Sequence, residues 1–172
     1  MIKNKYLVIS FIALCYFTID GFAANFSFRS PTFSNNSSIP KKYTCYGENI
    51  SPTLFWENAP ANTKSFVLIV DDTDAIAGDS VQWLLFNIPA HVWFLPAAAK
   101  IPSGAISGQN SFGNTRYHGP CPLTGTHHYF FKLIALDKIL NLNSKASRED
   151  VLKAISSHGI KTRELMGLYT KQ

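Results

Sequence analysis

At 172 residues, with 46% hydrophobic and 16% charged side chains, the chain is long enough for one domain with a full core and too short for two comfortable ones. That composition excludes a disordered or fibrous protein, and 13 Phe with 7 Tyr point to β structure around an aromatic core. The net charge of +5 suits contact with anionic ligands or surfaces, but the Lys and Arg are scattered and form no basic stripe interleaved with aromatics, so nucleic acid is not an expected partner.

The first segment has the pattern of a cleaved secretory signal. Lys3 and Lys5 precede an apolar run from Tyr6 to Phe17, and Gly21-Phe22-Ala23 then sets small residues on either side of a bulky one. The run is about 12 residues, short of the roughly 20 that span a bilayer. Residues 1–23 are therefore expected to be removed. Residues 24–172 would then form a single exported domain, periplasmic or secreted, and not an integral membrane protein. Cleavage removes Lys3, Lys5 and Asp20, so 16 basic and 11 acidic side chains become 14 and 10, a net charge of +4. Two cysteines remain, Cys45 and Cys121. In an exported chain they are expected to pair, the alternative being two separate buried thiols.

In chain order, Asn25 to Ser30 alternates Phe26 and Phe28 with polar neighbours, the period of a half-buried strand. Ser34 to Lys42 is a Ser- and Asn-rich loop. Its Ser38-Ile39-Pro40-Lys41 matches the Ser-x-x-Lys of serine acyl-transferases only formally, because the partner motifs Ser-Asp-Asn and Lys-Thr-Gly are absent from the sequence. Tyr43 to Pro60 is compact and irregular, with a Gly-Glu-Asn turn, a Ser-Pro corner and a short strand at Leu54 to Trp56.

The chain is organised around the next stretch, Ser65 to Ala75. Phe66 to Val70 is a continuous, largely β-branched apolar run, the signature of a strand buried on both faces, and it ends abruptly in Asp71, Asp72 and Asp74. A buried strand thus delivers acids to one edge of a core, as a scaffold presents a site; the plainer reading is a solvated turn in which Asp caps nearby amides. A small-residue loop follows, and then a second apolar strand, Val81 to Ile88, with Gln82 near its start. The acidic loop is not a calcium hand, since Ile76 and Ala77 occupy the places of the next acid and the required Gly, and Trp83 that of the closing Glu. The histidines at 91, 118, 127, 128 and 158 have no metal-ligand spacing, and no cofactor is implied.

Ile101 to Thr126 is dominated by Gly, Pro, Ser and Asn, and an irregular segment of about 25 residues in a compact domain is more often functional than idle. It ends at His127, where His-His-Tyr-Phe-Phe-Lys-Leu-Ile-Ala-Leu, to Leu136, opens a third strongly apolar strand. His127 and Tyr129 share a face there, with His128 on the other, and they offer polar groups beside Gly-Pro loop backbone. Ser147 with Asp150 forms a capping box for a helix of about ten residues that Gly159 would stop. Ile160 to Tyr169 carries no catalytic pattern.

Five ordered motifs resemble the phosphatidylethanolamine-binding protein family, in particular its bacterial Raf kinase inhibitor-like branch of the YbhB/YbcL type. They are Tyr-Thr-Cys-x-Gly-Glu-Asn-Ile-Ser-Pro from Tyr43, Val-Asp-Asp-x-Asp-Ala from Val70, Asn-Ile-Pro from Asn87, Gly-Pro-Cys-Pro from Gly119 and His-x-Tyr from His127. With Gly167 and Tyr169 they span nearly all of the mature chain. The resemblance implies a mainly β fold of two packed antiparallel sheets with a few short helices. It also implies a small pocket for phosphate, acetate or a phospholipid headgroup, with Asp72 and Asp74 as its acids, His127 and Tyr129 as donors, and Gly119, Pro120, Cys121 and Pro122 as its loop wall. The sequence departs from the family pattern in two places. Thr73 and Ile76 replace the two prolines of the usual acidic loop, which removes two fixed φ angles. Gln82 stands where the second strand usually carries a His, so the site keeps a donor but loses a potential charge.

The leading expectation is a non-enzymatic, exported binding module for a small anion or phospholipid headgroup. The alternative is a modulator of a protein partner, such as an inhibitor of a serine protease or kinase. A hydrolase using Asp72 or Asp74 with His127 would lack an identifiable nucleophile or metal set.

Overall fold

The structure, a computed structural model, describes residues 24–76 and 78–171, so the expected leader Met1 to Ala23 lies outside the described residues. In chain order the elements are β1 (Ser27–Arg29), β2 (Ser37–Ser38), a 3-10 turn (Lys41–Tyr43), β3 (Leu54–Glu57), β4 (Ser65–Asp72), β5 (Ser80–Pro89), β6 (Phe94–Leu95), β7 (Ile106–Ser107), β8 (Thr126–Leu136), α1 (Arg148–Ile155) and β9 (Gly159–Thr170). They make a three-stranded sheet in the order β1-β3-β6 and a six-stranded sheet in the order β2-β9-β8-β4-β5-β7. The expected pair of packed sheets is what the chain builds. Pairing is antiparallel except where β2 runs parallel to β9, Ser37 opposite Gly167, a long-range pairing of only two residues.

The apolar run of β4, Phe66 to Val70, follows from its place. Hydrogen-bonded to β8 on one side and β5 on the other, it is covered on both faces, and all eight residues are buried. Phe66, Leu68 and Val70 enter the core between the sheets with Phe28, Trp56 and Phe131. Val67 and Ile69 face the opposite layer, where Leu84, Phe86 and the α1 residues Val151 and Ile155 meet them. Each such side chain contributes roughly 1.5 to 3 kcal/mol on burial, which holds the strand and therefore its acidic end in place.

Two expectations at the C-terminal end change. The helix forms behind its capping box, with Ser147 Oγ accepting the Asp150 N–H and Asp150 Oδ2 accepting the Ser147 N–H, but it ends at Ile155 after eight residues. Gly159 therefore does not stop it; Gly159 instead opens β9, a strand of twelve residues that pairs with the whole of β8. Gly167 is required there, because a Cβ at that position would collide with the side chains of Ile39 and Phe33. Among the described residues no helix is long and apolar enough to cross a membrane.

Cys45 and Cys121 form a disulfide, their Cα atoms 5.4 Å apart and 76 positions apart in sequence. Gly119 permits the approach: its backbone lies against Tyr43 and Thr44 where no Cβ would fit, its N–H donates to Asn49 Oδ1 at 2.7 Å, and Cys45 N–H donates to the Pro120 carbonyl at 3.1 Å. The bridge thereby fastens the long Gly/Pro loop to the segment after β2.

Candidate functional site

Asp71 and Asp72 close β4 on opposite faces, because successive side chains of a strand alternate. Asp72 pairs in register with Tyr129 of β8 and Ser80 of β5, which brings the end of β4 and the starts of β5 and β8 to one edge of the large sheet. On β5 the ladder shifts there: Val70 is opposite Trp83 and Asp71 opposite Val81, so Gln82 is an extra residue in a β-bulge. A bulge re-aims its side chains, and here it turns Gln82 into the edge that Asp72 and His127 share.

These residues line a cavity of about 430 Å³. Of the residues expected from sequence, Asp72, Gln82, Cys121 and His127 are in its wall. Tyr129 lies behind the wall, fully buried, its ring stacked against that of His127 with centroids 6.4 Å apart. Its hydroxyl faces the Asp72 carboxylate without a well-formed hydrogen bond, and burial, reinforced by the Asp72 charge, pushes its pKa up, so it stays protonated. Gly119 and Pro120 are not in the wall; they hold the disulfide that places Cys121 there. Asp74 is also outside. Its Oδ2 accepts the backbone N–H of His128 at 2.7 Å and a ring N–H of the same residue at 2.8 Å, and these bonds hold its carboxyl below the usual carboxylate range.

The adjacent histidines are thus divided between the two acids. His128 points outward to Asp74, and His127 points inward, with Nδ1 2.9 and 3.1 Å from the two oxygens of Asp72. A carboxylate only accepts, so Nδ1 carries the proton and Nε2 is the nitrogen left to meet a ligand, as an acceptor when the ring is neutral and a donor when it is charged. The Asp74 N–H donates to Asp72 Oδ1 at 3.0 Å, so the acid is tied on two sides.

Sequence reasoning missed several wall residues, among them Asp79, Ser80, Ser111 and Thr124. Ser80 only opens β5 and the other three lie in loops, where the sequence gives no signal of which side chain faces inward. Asp79 is bound by Arg148 at 3.2 Å. Ser111 Oγ accepts the Val81 N–H at 2.8 Å, which leaves its O–H free to donate. The Gln82 amide makes only long contacts to Ser80, at 3.3 and 3.4 Å, and its Oε1 is buried without a partner among the described residues. Behind it, His118 stacks on Phe112 with centroids 3.6 Å apart, and burial pushes its imidazole below the usual range. Around the mouth, Ile76, Leu123 and Phe112 are exposed. The wall therefore combines two carboxylates that each have a partner, one imidazole, three hydroxyl groups, an amide and an apolar rim.

The comparisons agree with this architecture. The sequence model of the phosphatidylethanolamine-binding protein family matches residues 29–170. A UPF0098 protein of Methanothermobacter thermautotrophicus is 44% identical over 147 residues, 83% of this chain and 97% of that protein. Among solved structures, the phosphatidylethanolamine-binding protein homolog CT736 of Chlamydia trachomatis superposes with a TM-score of 0.82 at 38% identity, covering 86% of this chain and 98% of that one. YbcL of E. coli, described as a member of the mammalian PEBP family, gives 0.81 at 32% identity, with 87% and 100% covered.

Proposed function

Because the chain belongs to the phosphatidylethanolamine-binding protein family, we propose that it is an exported, non-enzymatic binding protein whose cavity takes a small anion, either phosphate or the phosphate-bearing headgroup of a phospholipid. The observation that carries this reading is His127. Its side chain is 16% exposed in the cavity wall, Asp72 fixes its ring and tautomer, and its Nε2 makes no hydrogen bond among the described residues. Ser80, Ser111, Thr124 and the Gln82 amide supply further donors around the same space. Binding rather than turnover fits the remaining groups: the Cys121 sulfur is tied in the disulfide, and Ser111 Oγ is engaged by a backbone amide.

The anion must sit beside Asp72 and Asp79, so affinity rests on the hydrogen-bond donors that line the cavity, His127 among them. Titration with phosphate and with phosphoethanolamine, beside mass spectrometry of what co-purifies, tests the reading. Saturable binding that His127→Ala abolishes is expected; no binding of either probe at about pH 5.5, where imidazoles are largely charged, would overturn it. The exposed Ile76, Phe112 and Leu123 favour a second reading, in which the same mouth docks on an apolar face of a protein target such as a protease, and a protease-inhibition panel tests that.

A further inference from the structure

A second cavity, of about 490 Å³, shares β5 and the long Gly/Pro loop with the first but has the opposite electrostatic character. Gln82 lines one and Trp83 the other. The first has two carboxylates in its wall. The second has none, and carries Lys100 and Arg116, neither of which is in an ion pair among the described residues. We propose that this second cavity binds a small carboxylate with an aromatic or aliphatic body.

Three features support it. Trp83 and Tyr117 meet edge to face, centroids 5.5 Å apart at 85°, and with Ile50 and Ile101 they give the cavity an apolar wall of the kind that holds a ring or short chain. Trp83 is 2% exposed, yet its indole N–H has no acceptor among the described residues. Buried donors in native proteins are nearly always satisfied, and a carboxylate is acceptor-only, so the ligand chemistry that suits the two cations also suits this orphaned donor. Finally, the wall is built before any ligand arrives: the carbonyl and hydroxyl of Ser51 accept the N–H groups of Ala98 and Ala99 at 3.0 and 3.2 Å. Ala98 is held there at φ +55°, a left-handed conformation that a residue with a Cβ keeps only when its surroundings enforce it. Arg116 offers a planar fork that matches a carboxylate, and Lys100 adds a point charge beside it.

The proposal is independent of the anion reading of the first cavity, and the test separates them. 2-Naphthoate is titrated into the protein while the indole N–H resonances are followed by NMR, with Trp83→Phe identifying the Trp83 signal. A saturable shift of that signal is expected. Reversal of both exposed cations in Lys100→Glu/Arg116→Glu should weaken it about tenfold or more, the scale of a lost charge-assisted contact. The uncharged 2-naphthamide should bind at least about tenfold more weakly by the same argument. Gln82→His should leave naphthoate affinity unchanged, and inorganic phosphate should not displace it. Absence of a shift at the Trp83 signal, equal affinity in the charge-reversed protein, or displacement by phosphate would each overturn the second site without touching the first.

Discussion

Asp71 and Asp72 are neighbours at the end of one strand, yet they do different work, and the difference lies in what faces them. Asp71 turns to the helix layer, is fully buried, and is held by Arg148 Nε at 3.3 Å and Lys132 Nζ at 3.4 Å. Burial pushes its carboxyl up, and the two cations oppose that. Asp72 turns to the cavity, 5% exposed, and its side-chain partner is an imidazole. Permanent cations make Asp71 a fixed tie between β4, β8 and α1. An imidazole partner that itself lines the cavity makes Asp72 part of the site.

The largest expected effect breaks the Asp71 side. Arg148→Met leaves a fully buried carboxylate with one cation instead of two, and should cost about 3 to 5 kcal/mol of stability, read as a lower urea midpoint at unchanged m-value. The sign with pH follows from the direction of the shift. A raised carboxyl binds its proton more tightly in the folded state, so its cost is present when it is ionised and is relieved as pH falls through the folded pKa toward the unfolded value of about 3.9. The deficit of Arg148→Met should therefore be larger at about pH 7.5 than at about pH 4.5; a deficit independent of pH would mean that Asp71 is not the group left exposed to burial.

On the cavity side the strongest tie is covalent. Replacing both cysteines, Cys45→Ser with Cys121→Ser, should cost roughly 2 to 5 kcal/mol, since the bridge closes a long loop in the unfolded chain. It should also loosen the loop that supplies Cys121 and Thr124 to the wall, so phosphate binding should fall with stability. Asp72→Asn should do far less to stability than Arg148→Met. An amide oxygen at the place of Oδ1 still accepts from His127 Nδ1 and from the Asp74 N–H, and the loss should be roughly 1 kcal/mol. Thermal melts of the two variants side by side decide it: a larger loss at Asp72 would reverse the assignment of structural and site acid.

How far the sequence could be read follows from the same contrast. β4 and β5 were legible because burial on two faces writes an unbroken apolar run, β8 because its aromatic and aliphatic residues cluster around a single Lys132, and α1 because its capping box is local. β9 was not, since its first half carries exposed Lys161, Thr162 and Glu164 and only Leu165, Gly167 and Tyr169 turn fully inward. β6 and β7, of two residues each, are set by their partners and have no periodicity of their own. In the site, Asp72 and His127 could be placed because they lie at the ends of strands whose faces were known, whereas Gln82 was reached only through the family resemblance, since a bulge sets its direction. Asp74 could not, because the chain leaves the strand at Thr73 and the alternation that orders Asp71 and Asp72 stops there. Asp79, Ser111 and Thr124 come from loops whose path depends on Arg148, the Val81 amide and the disulfide, contacts made across the fold.

The central claim, that Gln82 and His127 face one anion, is tested most directly by isothermal titration of phosphate into the wild type and Gln82→His. A second imidazole in the bulge adds a hydrogen bond from a charged group, and should raise affinity about 10- to 150-fold at about pH 5.5, with the gain shrinking toward pH 8 as the ring loses its proton. Equal affinities of the two proteins at about pH 5.5 would contradict the claim, because position 82 would then not face the ligand.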